Sequence, residues 1–489
     1  SRVLYYNIIE HEETIAMKKT AEDHGDCALL TAGASKAEQE CFKENNVFEK
    51  TNIKRRNGME KNINVLVAQS GGPTPVINNS LRGVIEACRD YPSKFGKIYG
   101  AWHGVEGVLQ EELIEISAQP QEEIDLLATT PSAGAIGTCR YKLSEDRQED
   151  FERIIEVLKA HNIGCFFYIG GNDSMDTANK VSDLAKEREL DLTVVGIPKT
   201  VDNDLGDQEF TYCDHTPGYG SIARYWASTI QNANQESLGC CTHNPVIVLE
   251  AMGRDTGFIP AAARLGDPNR EMPLHLYMPE SKFTLEQIAD TVSDELKQSG
   301  RCIVVVNRGQ DFGVFSEECD AFGHTDGEDP HGRTNSTIVC HHLNSKKLSK
   351  YGPAWCNVSG LEQRMVSLQA SKVDLEEAFL VARHAVEVAL KDGTGWMSTI
   401  ERKPGDLYEA YYDKVALPIV ANSIREVPKE WISENGYDVT DDFVKYAKPL
   451  IGDEWVDVPL EGGIQRFANF KKVFAEKKCK EYVPIMYRS

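Results

Sequence analysis

Two short stretches carry residue types and spacings that could do chemistry. GCFFYIGGNDSMDT ends an apolar run in Gly170-Gly171-Asn172-Asp173-Ser174, and LTVVGIPKTVDND ends another in Lys199-Thr200-Val201-Asp202-Asn203-Asp204. Each reads as a β-strand followed by small and acidic residues, with a helical pattern between them. Glycines at 170 and 171 let backbone N–H groups approach an anion without a Cβ in the way, and Asn172, Asp173 and Ser174 open the next helix at its positive end. That geometry suits phosphate. Asp202 and Asp204 fall just beyond the carboxyl end of the next strand, where open α/β sheets place their ligands; two carboxylates there can hold Mg²⁺ or take a proton. Either motif alone is better read as a capped turn or a solvated loop. Their occurrence on successive strands favours a site.

The elements that must position these residues follow from the pattern around them. From Asn62 onward strand and helix alternate: INVLVAQSGG, then TPVINNSLRGVIEACRDY with one apolar face, and on through CFFYIGG and LTVVGIP. This predicts an α/β fold with a doubly wound parallel sheet. The turn Gln69-Ser70-Gly71-Gly72-Pro73-Thr74-Pro75 ends the first strand and forms a second phosphate cradle by the same logic. Beyond Asp204 the alternation resumes with a helix near 221–231 and the strands NPVIVLEAMGR, MPLHLYMPE and RCIVVVNRG, which implies a second sheet. A helix over VDLEEAFLVARHAVEVALKDG puts Leu375, Phe379, Ala382 and Val386 on one face, so it is expected to pack on a sheet. The tail beyond Glu401 has no clear periodicity.

Composition narrows the function classes. The 489-residue chain has a formal charge of −23 and no basic stripe with interleaved aromatics, which argues against nucleic acid. No apolar run is long enough to span a bilayer, so no membrane partner is expected, and a cytoplasmic location is the default expectation. The 13 cysteines show no CxxC pair and read as reduced thiols, and Cys340-His341-His342 lacks a second ligand pair at metal spacing. Residues 1–58 are polar and without sustained periodicity. Met59, directly before the first strand, looks like an amino terminus; 1–58 stays open between a disordered arm, an appended element and sequence upstream of an ancestral start, and a chain beginning at Met59 is expected to keep its stability and activity.

GGNDS together with PKTVDND resembles the phosphofructokinases, specifically their pyrophosphate-dependent branch, and the resemblance runs from about Met59 to the end. It implies the phosphofructokinase fold: two Rossmann-like, doubly wound domains, each discontinuous. A donor-binding domain would comprise 59–213 and about 361–420, and a sugar-phosphate domain about 214–360 and 421–489. It implies reversible phosphoryl transfer from pyrophosphate to the C1 hydroxyl of fructose 6-phosphate, with Mg²⁺ as cofactor and a homodimer or homotetramer as the assembly.

Residue by residue, Asp202 matches the base that takes the C1 hydroxyl proton, and Asp204 supports Mg²⁺ with Asp173. Arg140, in GTCRYK, matches the loop whose arginine bridges the donor and acceptor phosphates, and Lys199 neutralises phosphoryl charge. The donor would lie on Gly71, Gly72, Gly171, Asn172, Asp173, Ser174 and Lys199. The sugar phosphate would meet Thr200, Asp202, Met252-Gly253-Arg254, Glu280 and, through its 6-phosphate, Arg364 of LEQR. Two departures matter. Asn172 stands where the usual pattern has a carboxylate, which puts metal affinity in question. Asp173 occupies a position that is glycine in most ATP-dependent relatives, where its bulk and charge oppose a nucleotide α-phosphate. An ATP-dependent kinase, sedoheptulose 7-phosphate as acceptor, and a catalytically weak sugar-phosphate sensor all stay open. In another class, Gly218-Tyr219-Gly220-Ser221-Ile222-Ala223 matches GxGxxA at a helix start, a weak dinucleotide-binding signal because no clean strand precedes it.

Overall fold

The computed structural model describes residues 62–144, 147–253, 255–313, 334–421 and 423–488. The expectations for residues 1–58 and for Arg254 lie outside them. Residues Ile63–Ser489 form one compact unit, which carries everything below.

The first sheet has seven strands in the order β11-β10-β5-β4-β1-β2-β3. They are β1 (Ile63–Gln69), β2 (Phe95–Ala101), β3 (Leu113–Glu115), β4 (Ile163–Gly170), β5 (Thr193–Pro198), β10 (Trp396–Arg402) and β11 (Ala410–Ala416). The centre is parallel as expected, while β3 and β11 close the two edges antiparallel. All eight residues of β4 are buried, which is why its sequence is a continuous apolar run rather than an alternation. Side chains still alternate between two cores. Leu66, Ala68, Phe166 and Tyr168 enter one, and Val65, Val67, Phe167 and Ile169 the other. Strand order reverses between β1 and β4, so the loops after these two strands flank the sheet's switch point, where such folds leave a crevice.

Numbering the helices of ten or more residues, α1 (Ile77–Arg89), α2 (Gln148–Ala160) and α3 (Asn172–Glu187) serve this sheet. So does α7 (Lys372–Lys391), which leans against α1 as well as on β5 and β10. Gly83 makes that approach possible, because a Cβ there would stand 2.4 Å from the Phe379 carbonyl oxygen. Leu375, Ala382 and Val386 are buried as expected. Phe379 is only half-buried, held between the guanidinium groups of Arg82 and Arg383.

The second sheet is parallel, in the order β7-β8-β6-β9, from β6 (Val246–Ala251), β7 (Leu274–Tyr277), β8 (Cys302–Asn307) and β9 (Ala354–Asn357). α4 (Tyr219–Cys240) is longer than the expected 221–231 segment and packs here with residues 441–451. α5 (Leu285–Ser299) starts on a capping box between Thr284 and Gln287, and α6 (Asn335–Lys346) precedes β9. The tail departs from the expected grouping of 421–489 with this sheet. Ala468, Phe470, Ala475, Tyr482 and Met486 pack against the first sheet instead. Its short, mixed runs become intelligible as a strap over finished surfaces rather than as elements with their own period.

Candidate functional site

The loops after β1, β4 and β5 meet at the switch point. Lys199 is buried; its Nζ donates to the Gly72 carbonyl oxygen at 2.8 Å, and its backbone N–H donates to Gly170 O at 3.0 Å. Both glycines of the first loop are there for space. A Cβ at Gly71 (φ +77°) would stand 3.3 Å from Lys199 Nζ, and one at Gly72 would stand 2.4 Å from Arg364 and 3.6 Å from Arg140. Arg140, Lys199 and Arg364 therefore converge on Gly71-Gly72. Lys199 lies close enough to Asp202 and Asp204, and Arg364 to Asp202, for their charges to interact. Arg364, expected at the sugar 6-phosphate, thus also reaches the Gly71-Gly72 loop.

Burial and neighbours displace the titrations. Burial, with the charges of Arg364 and Arg140, brings Lys199 down to about 8 against the opposing pull of Asp202 and Asp204. Burial, then the Asp202 charge, pushes Asp204 up to about 7, with Arg425 and Lys199 opposing. A crevice holding this many mutually adjusted charges is arranged for an ionic ligand.

The acidic turn is shaped by residues the sequence did not single out. Asn203 sits in the left-handed region at φ 58° with no exposed surface. Its side chain donates to the Tyr446 hydroxyl at 2.8 Å and accepts from Thr216 N–H and Arg425, both at 3.1 Å. Arg425, fully buried, also donates twice to the Asn203 carbonyl oxygen, and its own N–H donates to Asp204 O at 2.8 Å. Thr200 Oγ1 accepts from Asp202 N–H at 3.1 Å. Tyr446 and Arg425 come from more than two hundred residues away, so local spacing held no sign of them.

Gly171 caps α3, with Asn172, Asp173 and buried Ser174 in its first turn. Asn172 Nδ2 lies 3.5 Å from Asp204 Oδ2 and donates to the Ser423 carbonyl oxygen, while its Oδ1 is buried with no partner. That orphaned oxygen beside Asp204 fits Mg²⁺, which takes one or two protein oxygens and completes its shell with water and substrate phosphates. Among the described residues no group of three His, Cys, Asp or Glu side chains is assembled for a metal. Asp173 stands at the solvent-exposed rim: its side chain is 61% exposed and lies 4.0 Å from Lys142.

The facing wall is the carboxyl end of the second sheet. Met252 N–H donates to Gln363 Oε1 at 2.9 Å, and Gln363, buried, also receives Trp226 Nε1–H and donates to Glu250 O. Gly253, at φ +100°, lies where a Cβ would come within 3.0 Å of Asn307 Nδ2. Glu280 Oε1 accepts from Gly257 and Val427 N–H at 2.9 and 3.0 Å, while Oε2 is buried with no partner. Burial raises the Glu280 pKa, opposed by those N–H donors. The two walls are joined where Thr256 Oγ1 donates to the Asp202 carbonyl oxygen at 3.3 Å.

The GxGxxA match is a structural cap. Asp374 accepts from Gly218 and Ser221 N–H, each at 2.8 Å, and from the Ser221 hydroxyl. A buried carboxylate of the protein thus fills the place a dinucleotide pyrophosphate would need.

Two glycine-bearing loops at a switch point, facing an acidic turn and a second sheet, define the crevice. The sequence pattern named Phosphofructokinase matches residues 64–374, and the chain belongs to that family. It is 38% identical over 430 residues to the pyrophosphate–fructose 6-phosphate 1-phosphotransferase of Halomonas elongata, spanning 86% of this chain and 99% of that one. It is also 38% identical over 427 residues to the protein of the same name from Methylococcus capsulatus, spanning 85% and 97%. The crystal structure of a pyrophosphate-dependent phosphofructokinase from Marinobacter aquaeolei aligns with a TM-score of 0.76 at 35% identity, over 86% of this chain and 99% of that one.

Proposed function

We propose that this chain catalyses the reversible transfer of a phosphoryl group from pyrophosphate to the C1 hydroxyl of fructose 6-phosphate, giving fructose 1,6-bisphosphate and phosphate. The observation that carries the reading is the convergence of Lys199, Arg140 and Arg364 on the Gly71-Gly72 loop, opposite Asp202 and Asp204. Asp202 takes the hydroxyl proton as the C1 oxygen bonds to the terminal phosphorus and the bridging P–O bond breaks, releasing phosphate. Arg140 and Lys199 neutralise the transferring group and the leaving phosphate, and the loops at 71–72 and 171–174 orient them. Asp204, with Asn172 Oδ1 and Asp173 at the rim, would hold Mg²⁺. Mg²⁺ supplies charge neutralisation of the phosphoryl oxygens.

Asp173 sets the donor by exclusion, since a nucleotide α-phosphate would meet its carboxylate, whereas pyrophosphate ends before it. On the sugar side, Glu280 Oε2 accepts from a hydroxyl, Met252, Gly253 and Thr200 line the ring, and Arg364 meets the 6-phosphate. A homodimer or homotetramer would close over the exposed Trp355 and Leu361 beside the edge strand β9.

The test is phosphorus NMR on protein incubated with fructose 6-phosphate, pyrophosphate and Mg²⁺. Signals of fructose 1,6-bisphosphate and orthophosphate should grow together, and the reverse mixture should yield pyrophosphate. Pyrophosphate hydrolysis without sugar bisphosphate, or no turnover, would overturn the reading.

A further inference from the structure

Arg140 lies at the end of a loop, 129–141, with no regular element of its own. It is rich in small residues, among them Ser132, Ala133, Gly134, Ala135 and Gly137, and it packs inward through Ala133, Ala135, Ile136, Cys139 and Tyr141, while its backbone depends on contacts from other segments. On its inner side the loop meets the Gly71-Gly72 turn. Gly71 N–H donates to Cys139 O and the Thr138 hydroxyl donates to Gly71 O, both at 2.8 Å.

On its outer side the loop is held by the end of the chain. Gln465 Nε2 donates to Thr129 O at 3.2 Å, Ala468 N–H to Thr130 Oγ1 at 2.8 Å, and Lys472 Nζ to Ala135 O at 3.1 Å while sitting 3.5 Å above the Trp102 ring. Met486 N–H donates to the hydroxyl of Tyr141, the residue after Arg140, at 3.3 Å. That hydroxyl in turn donates to Asp150, a fully buried carboxylate that also accepts from Tyr482 Oη at 2.8 Å and Ile485 N–H at 3.2 Å. Between these anchor points the segment runs beside the sheet edge. Glu115 N–H donates to Val473 O, and Ala475 N–H donates to Leu113 O, both at 2.8 Å.

We infer that residues 465–488 are a positioning element for phosphoryl transfer: a strap that braces the 129–141 loop from outside and so holds Arg140 over the Gly71-Gly72 turn. Apolar packing of Phe470 and Ala475 would cover the core without any of these polar contacts. The contacts are spread along one loop, from Thr129 to Tyr141, as bracing requires. The inference rests on the reading of Arg140 as a phosphoryl-binding residue. It gives the tail a part in the reaction although no residue of it lies among the crevice side chains.

The experiment uses the full chain with Lys472→Met, Tyr482→Phe and the double substitution, each of which keeps bulk while removing a contact. Hydrogen–deuterium exchange should quicken about tenfold or more in peptides covering 129–141 and stay unchanged in the second sheet. The kcat should fall ~10- to 100-fold, as expected for a displaced catalytic group, with KM for fructose 6-phosphate within about twofold of wild type. Lys472→Arg, which keeps the donor, should restore both. Unchanged exchange in 129–141, or faster exchange with unaltered kcat, overturns the strap. An Arg140→Met protein with wild-type kcat overturns the phosphoryl reading of that residue, whatever the exchange shows.

Discussion

At the carboxyl ends of β4 and β5 the crevice gathers Lys199, Asp202 and Asp204, with Arg140 and Arg364 reaching in, and burial above all moves Lys199 and Arg364 down and Asp204 up. At the ends of β6 and β7 the corresponding positions are served by Gln363, Asn307, backbone N–H groups and Glu280, whose Oε2 is buried with no partner. The difference follows from what each wall would hold. A phosphoryl group in transfer has charge spread over several oxygens and needs opposite charge in a dry site, whereas sugar hydroxyls need directional partners. One wall should therefore govern rate and donor, and the other affinity for the acceptor.

The largest effect should come from Asp202. Asp202→Asn should lower kcat by ~10²–10⁴, the usual cost of losing a general base, while leaving fructose 6-phosphate binding measurable by calorimetry. A near-normal kcat would remove the aspartate from its role and blur the division between the walls.

A paired comparison sharpens it. Lys199→Met should weaken pyrophosphate use by about 10- to 100-fold in kcat/KM, corresponding to ~1.5–3 kcal/mol for a charge-assisted contact, with KM for fructose 6-phosphate little changed. Glu280→Gln should do the reverse, raising KM for the sugar a few-fold and sparing pyrophosphate. The wild-type pH profile adds a sign. Lys199 is charged below its pKa of about 8, so pyrophosphate KM should rise as pH passes above 8, and Lys199→Met should abolish that rise. Matching effects of the two substitutions on both substrates would break the comparison.

A smaller effect lies outside both walls, in a network joining α7 to the segment after the acidic turn. Buried His215 is bonded to Asp214 at 2.8 Å and to Glu377 at 2.7 Å, and Arg402 also donates to Asp214. Burial alone would lower the His215 pKa, but the charges and hydrogen bonds of Glu377 and Asp214 outweigh it and hold it up at about 9. A folded-state pKa above the unfolded value means that the stabilisation is complete below about pH 6.5 and is lost as pH rises through 9. Denaturant unfolding should show a loss on the order of 1–3 kcal/mol across that window, absent in His215→Gln.

The strand-end motifs were legible in the sequence because their meaning is local. A buried apolar run ending in glycine, asparagine and aspartate declares both the strand and the helix that follows, and the switch point follows from strand order. The glycines at 71 and 72 suggest an anion loop from the sequence, while the structure shows that the side chain closest to a Cβ at Gly72 is that of Arg364, nearly three hundred residues on. Arg425 and Gln363 hold the acidic turn and the Met252 turn through contacts 222 and 111 residues apart, and no periodicity encodes them. Nothing in the sequence singles out Asp374, and only the fold shows that it occupies the GxGxxA helix end. The tail was opaque for the same reason: its hydrogen bonds are made to other segments.

The measurement that bears most directly on the central claim is kcat/KM for pyrophosphate and for ATP, at saturating fructose 6-phosphate and Mg²⁺, in the wild type and in Asp173→Gly. The wild type should use pyrophosphate and turn over ATP negligibly, and Asp173→Gly should admit ATP measurably though poorly, because a like-charge contact and a clash at the α-phosphate are relieved together. A wild type that prefers ATP, or an Asp173→Gly protein with an unchanged donor ratio, would contradict the assignment of the donor to this wall of the crevice.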